Sequence, residues 1–238
     1  GGGQLAKMTA AAASSFGCEV VILERQEDFP AQSLDTHAII GDWNDPRELQ
    51  KLGPLVDVVT LENEFVSTDA LGVLADNRHA LWPSVSTLMM VQDKFRQKQT
   101  FARAGLPMAR FAKIESREAV LQFGLPAVLK KRYNSYDGKG NATVNTEADL
   151  SEAWRNLKGN GEALYVEEFC SFERELAIII TRGQDGSSVQ YPVVKTINRD
   201  HICHIVKVPA EVSSEVAARV AEYAVRAVEA IEGVGSFG

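Results

Sequence analysis

Positive charge is in short supply in this chain: 25 Lys and Arg stand against 32 Asp and Glu, a formal net charge of −7. That balance argues against a protein that coats nucleic acid or lies on a membrane surface. Cysteine is scarce too. Cys18, Cys170 and Cys203 are odd in number, far apart and form no C-x-x-C pair, so neither a disulfide framework nor a zinc knuckle is indicated. They read as buried or idle thiols of a reducing, cytosolic compartment. No apolar run approaches the ~20 residues of a membrane-spanning helix. The first residues lack the basic-then-apolar pattern of a signal peptide. A G-x-x-x-x-G-K-[S/T] phosphate loop is missing, as are internal repeats and low-complexity stretches. What remains is an ordinary globular composition, 45% apolar and 24% charged over 238 residues. That length serves one large domain or two small ones, with a real core.

The first third alternates helix and strand, the pattern of a parallel sheet covered on both faces. Gly1-Gly2-Gly3 opens a helix that stops near Gly17. Strands are expected at 19–23, 38–40 and 56–61, and helices from Asp45-Pro46 onward and over 68–75. Ser84 is placed to cap one long helix over 85–104, closed by Gly105 and Pro107. A small α+β module follows, with strands near 110–114, 127–132, 142–144 and 164–169 and helices over 117–123 and 147–157. A third unit carries strands over 173–181, 188–196 and 202–208, with a turn at Asp185-Gly186. A final helix over 213–231 has Val216, Val220, Tyr223, Ala227 and Ile231 on one face, which is core packing. Both ends read as cut: a glycine turn without the strand that should precede it, and Val234–Gly238 as the start of a strand.

The stretch Lys130 to Asn141 joins two strands through a loop rich in cations and glycine. Glycine permits close backbone approach, and successive amides in such a turn make an anion-binding concavity. A flap over a nucleoside triphosphate is one reading, and a solvated hairpin loop of ordinary turn residues is the other. Lys130 and Lys131 point to opposite faces, and Lys130, ending an apolar run, is the better candidate to face a nucleotide. The Gly1–Gly3 turn aims free amides and a helix dipole at one spot, where phosphate binds. It does not complete G-x-G-x-x-G, so a dinucleotide site is poorly supported. Glu62 and Glu64 share one side of a strand end where open α/β sheets bind ligands. Glu167, Glu168 and Glu175 read as edge glutamates, any inward one being placed to bind a ribose diol.

Gly1-Gly2-Gly3-Gln4-Leu5, Thr60-Leu61-Glu62-Asn63-Glu64, Gln92-Asp93-Lys94, Tyr136-Asp137-Gly138-Lys139-Gly140 and Tyr191-Pro192-Val193-Val194 occur in an order and spacing that resemble the N5-carboxyaminoimidazole ribonucleotide synthetases. These are ATP-grasp enzymes of purine biosynthesis. The 164–175 block and Arg199–Cys203 resemble the version fused, in fungi and plants, to a carboxylase. The resemblance covers essentially the whole chain and implies an α/β fold. A Rossmann-like pre-ATP-grasp domain would span 1–92, an ATP-grasp lid 107–168 and a truncated ATP-grasp core 169–238, with helix 85–104 as connector.

The implied activity is ATP- and Mg2+-dependent carboxylation of 5-aminoimidazole ribonucleotide by bicarbonate, through carboxyphosphate. By the same resemblance, Lys94 and Lys130 contact ATP phosphates, and Ser135, Tyr136, Asp137, Gly138, Lys139, Gly140 and Asn141 form the flap. Glu167 holds adenine, Glu175 holds the ribose, and Asn198 completes the ATP site. Gly2, Gly3, Gln4, Glu64, Tyr136 and Lys139 hold the imidazole ribonucleotide, with Tyr136 and Lys139 as the catalytic pair. A homodimer and a fused carboxylase are the implied partners.

Asn198 stands where the family usually has histidine, Phe65 where a polar residue is common, and Ala6 where glycine is usual. The family's magnesium-binding acidic residues would fall beyond Gly238, so these residues alone are expected to show little ligase activity. The alternatives are another ATP-grasp ligase, such as a glycinamide ribonucleotide enzyme or a biotin carboxylase, and a non-catalytic nucleotide-binding module.

Overall fold

The computed structural model describes residues 1–34, 37–76, 80–135, 140–158, 163–199 and 202–238. The chain divides into two compact units, Gly1–Met89 and Met90–Gly238.

In the first unit, α1 (Gln4–Ser15) ends before Gly17, whose φ of +77° suits glycine. The parallel strands β1 (Val21–Glu24) and β2 (His37–Ile40) follow, linked through a 3-10 turn over Pro30–Leu34 that packs on α1. Ile22, Phe29 and Ala31 form a small core there. Helix α2 (Pro46–Leu52) starts as the sequence dictates, with Pro46 in its first turn and Asp45 accepting from the Arg47 amide at 2.9 Å. The parallel strands β3 (Val58–Val59) and β4 (Ala80–Leu81) flank α3 (Thr68–Asp76), where Leu71 and Leu74 are fully buried. The expected strand over 56–61 shrinks to two residues. The parallel pairing is present as two separate two-stranded ladders.

The single helix expected over 85–104 is two: α4 (Val85–Gln92) and α5 (Lys94–Arg103). Asp93 breaks it. Its backbone is extended, and its carboxylate accepts from the Phe95 and Arg96 amides, so it caps α5 instead of continuing α4.

The second unit continues with β5 (Phe111–Lys113), α6 (Arg117–Phe123), β6 (Ala127–Lys131), β7 (Asn141–Val144), α7 (Glu147–Lys158) and β8 (Leu164–Glu168). The strands form an antiparallel sheet in the order β5-β8-β6-β7. Ala127, Leu129, Val144, Leu164 and Val166 line one face and pack with Val120, Leu150 and Leu157 of the two helices. Alternation sends Val128, Lys130, Tyr165 and Glu167 to the other face. Of the two readings of Glu167, exposed edge or inward carboxylate, the structure gives the inward one: β8 lies inside the sheet, and Glu167 is only 7% exposed.

Beyond it lie β9 (Glu175–Ala177), β10 (Ile180–Arg182), β11 (Ser188–Gln190), β12 (Val194–Arg199), β13 (Ile202–Lys207), α8 (Ser214–Ala230) and β14 (Gly235–Phe237). The expected strand over 173–181 is split, because its two halves join different sheets: β9 pairs with β12, and β10 with β11 and β14. The expected return over 188–196 is split as well, around Pro192, which has no N–H to give a ladder. Helix α8 buries Val228, and its Arg226 donates to the Ala104 and Gly105 carbonyls at 2.8 and 3.0 Å. All three thiols are exposed, not buried.

Candidate functional site

Helix α5 lies against the sheet face that α6 and α7 leave uncovered. The Phe95 ring meets Phe111 edge-on at 5.6 Å and Tyr165 at 5.8 Å. One turn on, at i+4 from Lys94, Lys98 reaches the same face. There Glu167 sits between two ammonium groups: Lys130 Nζ donates to its Oε2 at 3.1 Å, and Lys98 Nζ stands 3.2 Å from Oε1. The Lys98 contact lacks hydrogen-bond alignment, so Oε1 is buried with no hydrogen bond. A carboxylate this enclosed is tolerable because it is paired. Burial first, then the charge and hydrogen bonding of Glu167, push the Tyr165 phenol well above its ordinary pKa. Tyr165 therefore stays neutral while the two lysines and Glu167 leave one net positive charge on this face.

Lys130 pairs across the ladder with Asn141, whose Oδ1 is also buried without a hydrogen bond. The flap base is closed tightly. Lys131 donates its amide to the Gly140 carbonyl at 2.8 Å, and a Cβ on Gly140 would lie 1.9 Å from the Ser135 Cβ. Lys94 Nζ donates to the Ser135 carbonyl at 2.6 Å, and the Lys94 amide donates to the Arg132 carbonyl at 2.9 Å. The structure thus gathers Lys94, Lys130, Ser135, Gly140, Asn141 and Glu167 around one strand end. Tyr136, Asp137, Gly138 and Lys139 lie outside the described residues.

Glu175 and Asn198 are together in the sheet of β9, β12 and β13. Glu175 Oε1 accepts from Asn198 Nδ2 and from Thr196 Oγ1, both at 2.8 Å. A register shift between Ile197 and Asn198 falls at this point. Both side chains are exposed.

In the first unit the glycine turn is held by carboxylates. Gly2 donates to Glu24 Oε2 at 2.6 Å and accepts from the Ala31 amide at 3.1 Å, and a Cβ on Gly2 would meet the Phe29 ring at 2.5 Å. Gly3 caps α1, while the Ala6 amide donates to Glu62 Oε2 at 2.9 Å. The helix end that sequence reading gives to phosphate is thus met by Glu62. Gln4 and Glu64 are exposed.

Sequence reading missed Lys98 and Glu24 as parts of these arrangements, and named Asp93 only within the Gln92-Asp93-Lys94 motif and Arg132 only within the cationic stretch after Lys130. The i+4 spacing from Lys94 is the available signal for Lys98. Glu24 carries none, because only tertiary contact brings it in. Among the described residues no group of three or more His, Cys, Asp or Glu could hold a metal ion. No described helix is long and apolar enough to cross a membrane.

Comparison with known proteins identifies the domains. The ATP-grasp domain profile matches residues 99–238, and that of the ribonucleotide synthetase pre-ATP-grasp domain matches residues 1–92. A phosphoribosylaminoimidazole carboxylase of Ogataea methanolica is 37% identical across the whole chain, which spans 45% of that protein. An N5-carboxyaminoimidazole ribonucleotide synthase of Synechococcus elongatus is 35% identical, and the chain spans 61% of it. The crystal structure of the Aspergillus clavatus N5-carboxyaminoimidazole synthase, in complex with ADP and 5-aminoimidazole ribonucleotide, superposes with a TM-score of 0.90 at 31% identity. That match covers 99% of this chain and 62% of that one. The chain thus spans about half to three fifths of the relatives it matches, and it belongs to the ATP-grasp family, with a ribonucleotide synthetase pre-ATP-grasp domain ahead of its ATP-grasp domain.

Proposed function

We propose that the protein containing this chain carboxylates 5-aminoimidazole ribonucleotide at the expense of ATP, as the named relatives do. The observation that carries the reading is the cationic sheet face in which Lys130 and Lys98 share the buried Glu167. Two buried acceptors there, Glu167 Oε1 and Asn141 Oδ1, have no hydrogen bond of their own. An adenine amine supplies the donors such acceptors take, and the lysines supply charge for phosphates.

In this reading Lys94 and Lys130 hold phosphates, Ser135 to Asn141 close over them, and Glu167 takes the adenine. Glu175 offers an oxygen to the ribose while Asn198 and Thr196 fix its orientation. Gly2, Gly3, Gln4 and Glu64, with Tyr136 and Lys139, hold the ribonucleotide, and Tyr136 and Lys139 act on it. Residues 107–168 serve as lid and 169–238 as the beginning of the core.

The chemistry needs positioning and charge neutralisation more than covalent help. A bicarbonate oxygen attacks the γ-phosphorus and ADP leaves. The amine nitrogen of the ribonucleotide then attacks the carboxyphosphate carbon, phosphate departs and the nitrogen loses a proton. Magnesium, when bound to the nucleotide, neutralises phosphate charge. The described residues do not form a set that holds it.

The reading includes a cytosolic location, argued from the three unpaired thiols, a homodimer on the family's pattern and, for the longer relatives' type, a carboxylase region. The test is transfer of labelled carbon from bicarbonate to the ribonucleotide by the whole protein. Transfer that requires ATP supports the reading. ADP release with a different acceptor, and no labelled ribonucleotide, overturns it.

A further inference from the structure

Asp93 takes no part in the reaction above, yet it is among the most heavily bonded side chains of the second unit. It is 6% exposed and accepts five hydrogen bonds. Two come from the Phe95 and Arg96 amides at 3.1 and 3.2 Å, which start α5. Two come from the Arg132 guanidinium, whose Nε lies 3.0 Å from Oδ1 and whose second nitrogen bonds Oδ2. The fifth comes from the Tyr133 hydroxyl at 2.7 Å.

A cap needs only the first two. The other three tie the segment leaving β6, which leads into the flap, to the first turn of α5. Lys94, next in sequence, adds its amide to the Arg132 carbonyl and its ammonium to the Ser135 carbonyl. Between them Asn134 adopts a left-handed φ of +50°, a conformation the surrounding contacts must hold in place.

We propose that Asp93 is a positioning residue of the nucleotide site: by fixing Arg132 and Tyr133 it sets the Lys94 ammonium and the Ser135 end of the flap in the geometry that receives phosphate. The inference rests on the nucleotide reading above. Asp93 acts through Lys94 and the flap base, and touches no ligand itself. Asparagine in its place still caps a helix, since Asn and Asp serve nearly alike there, but it loses the charge that Arg132 requires. Phenylalanine at 133 removes one hydrogen bond and leaves the ring.

The experiment is titration of the whole protein with a non-hydrolysable ATP analogue and magnesium, in wild type, Asp93→Asn, Tyr133→Phe, Lys94→Ala and the Asp93→Asn/Lys94→Ala double variant. Asp93→Asn is expected to weaken binding roughly tenfold, and Tyr133→Phe, which removes one of the carboxylate's bonds and leaves Arg132 on it, a few-fold. In the Lys94→Ala background the Asp93 change is expected to cost less than about twofold, because residues that act through one another are not additive. Equal losses in both backgrounds mean a general structural role and overturn the proposal. So does wild-type affinity in both Asp93→Asn and Tyr133→Phe. A wild type that fails to bind the analogue overturns the nucleotide reading itself, and the proposal with it, which sets that failure apart from one at Asp93 alone.

Discussion

At the scale of single residues, the second unit is governed by two carboxylates enclosed by cations in different ways. Glu167 is shared by two lysines and keeps one oxygen without a hydrogen bond, the arrangement of a group with bonding capacity still to offer. Asp93 is bonded on both oxygens. Burial works to raise its pKa, but hydrogen bonds from Arg132, Tyr133 and the Arg96 amide outweigh it and hold the carboxyl below its usual range. The sign follows from linkage. In the unfolded chain Asp titrates near ~3.9, and the folded pKa is lower, so the stabilisation is full above that value and disappears as pH falls through the folded one. Urea unfolding at pH 7 and at pH 3.5 is therefore expected to show a smaller acid loss in Asp93→Asn than in wild type. Parallel losses in the two proteins contradict this account of Asp93.

At the scale of elements, the core sheet makes the strongest stability prediction. Leu129 is fully buried between β6 and its helices, so Leu129→Ala is expected to cost about 2–5 kcal/mol, measured by denaturant midpoint. Gly140 makes a more local one. With the Ser135 Cβ so close, Gly140→Ala must shift the flap base, and it is expected to weaken nucleotide binding several-fold while the unfolding midpoint moves much less than for Leu129→Ala. Equal affinity in wild type and variant sinks that expectation.

Much of this level was legible in the chain. Asp45-Pro46 and Ser84 mark helix starts through cap chemistry, and both caps are made: Asp45 accepts from the Arg47 amide and Ser84 Oγ from the Thr87 amide. The alternation in β6 and β8 separates core from site. The break at Asp93 was hidden because 85–104 is continuous in helix-forming residues, and the decisive partner, Arg132, is 39 positions away. The split of 173–181 was hidden for a similar reason. An apolar run states that a strand is buried, not which neighbour it pairs with. Alternation would set Glu62 and Glu64 on one side, but β3 ends at Val59, so it does not reach them, and which one meets the glycine turn is decided by tertiary contact.

At the scale of the whole molecule, the chain spans less than two thirds of each relative described, and nucleotide recognition is the part of the proposal on which its described residues bear directly. Asn198 bears on this. The family resemblance implies a histidine at this position, and Asn198 keeps a hydrogen bond to Glu175 without a titratable group. Asn198→His is thus expected to add to the pH dependence of analogue affinity between pH 5.5 and 8, beyond the wild-type profile set by the ligand's own terminal phosphate, and identical profiles contradict a contribution of this position to the site. The most direct test of the central claim is calorimetric titration of the chain with a non-hydrolysable ATP analogue and magnesium, in wild type and Lys130→Ala. The account predicts binding in wild type that Lys130→Ala weakens by about 1–3 kcal/mol. Binding of equal strength in both proteins would contradict the assignment of the nucleotide to the Lys130–Glu167 face.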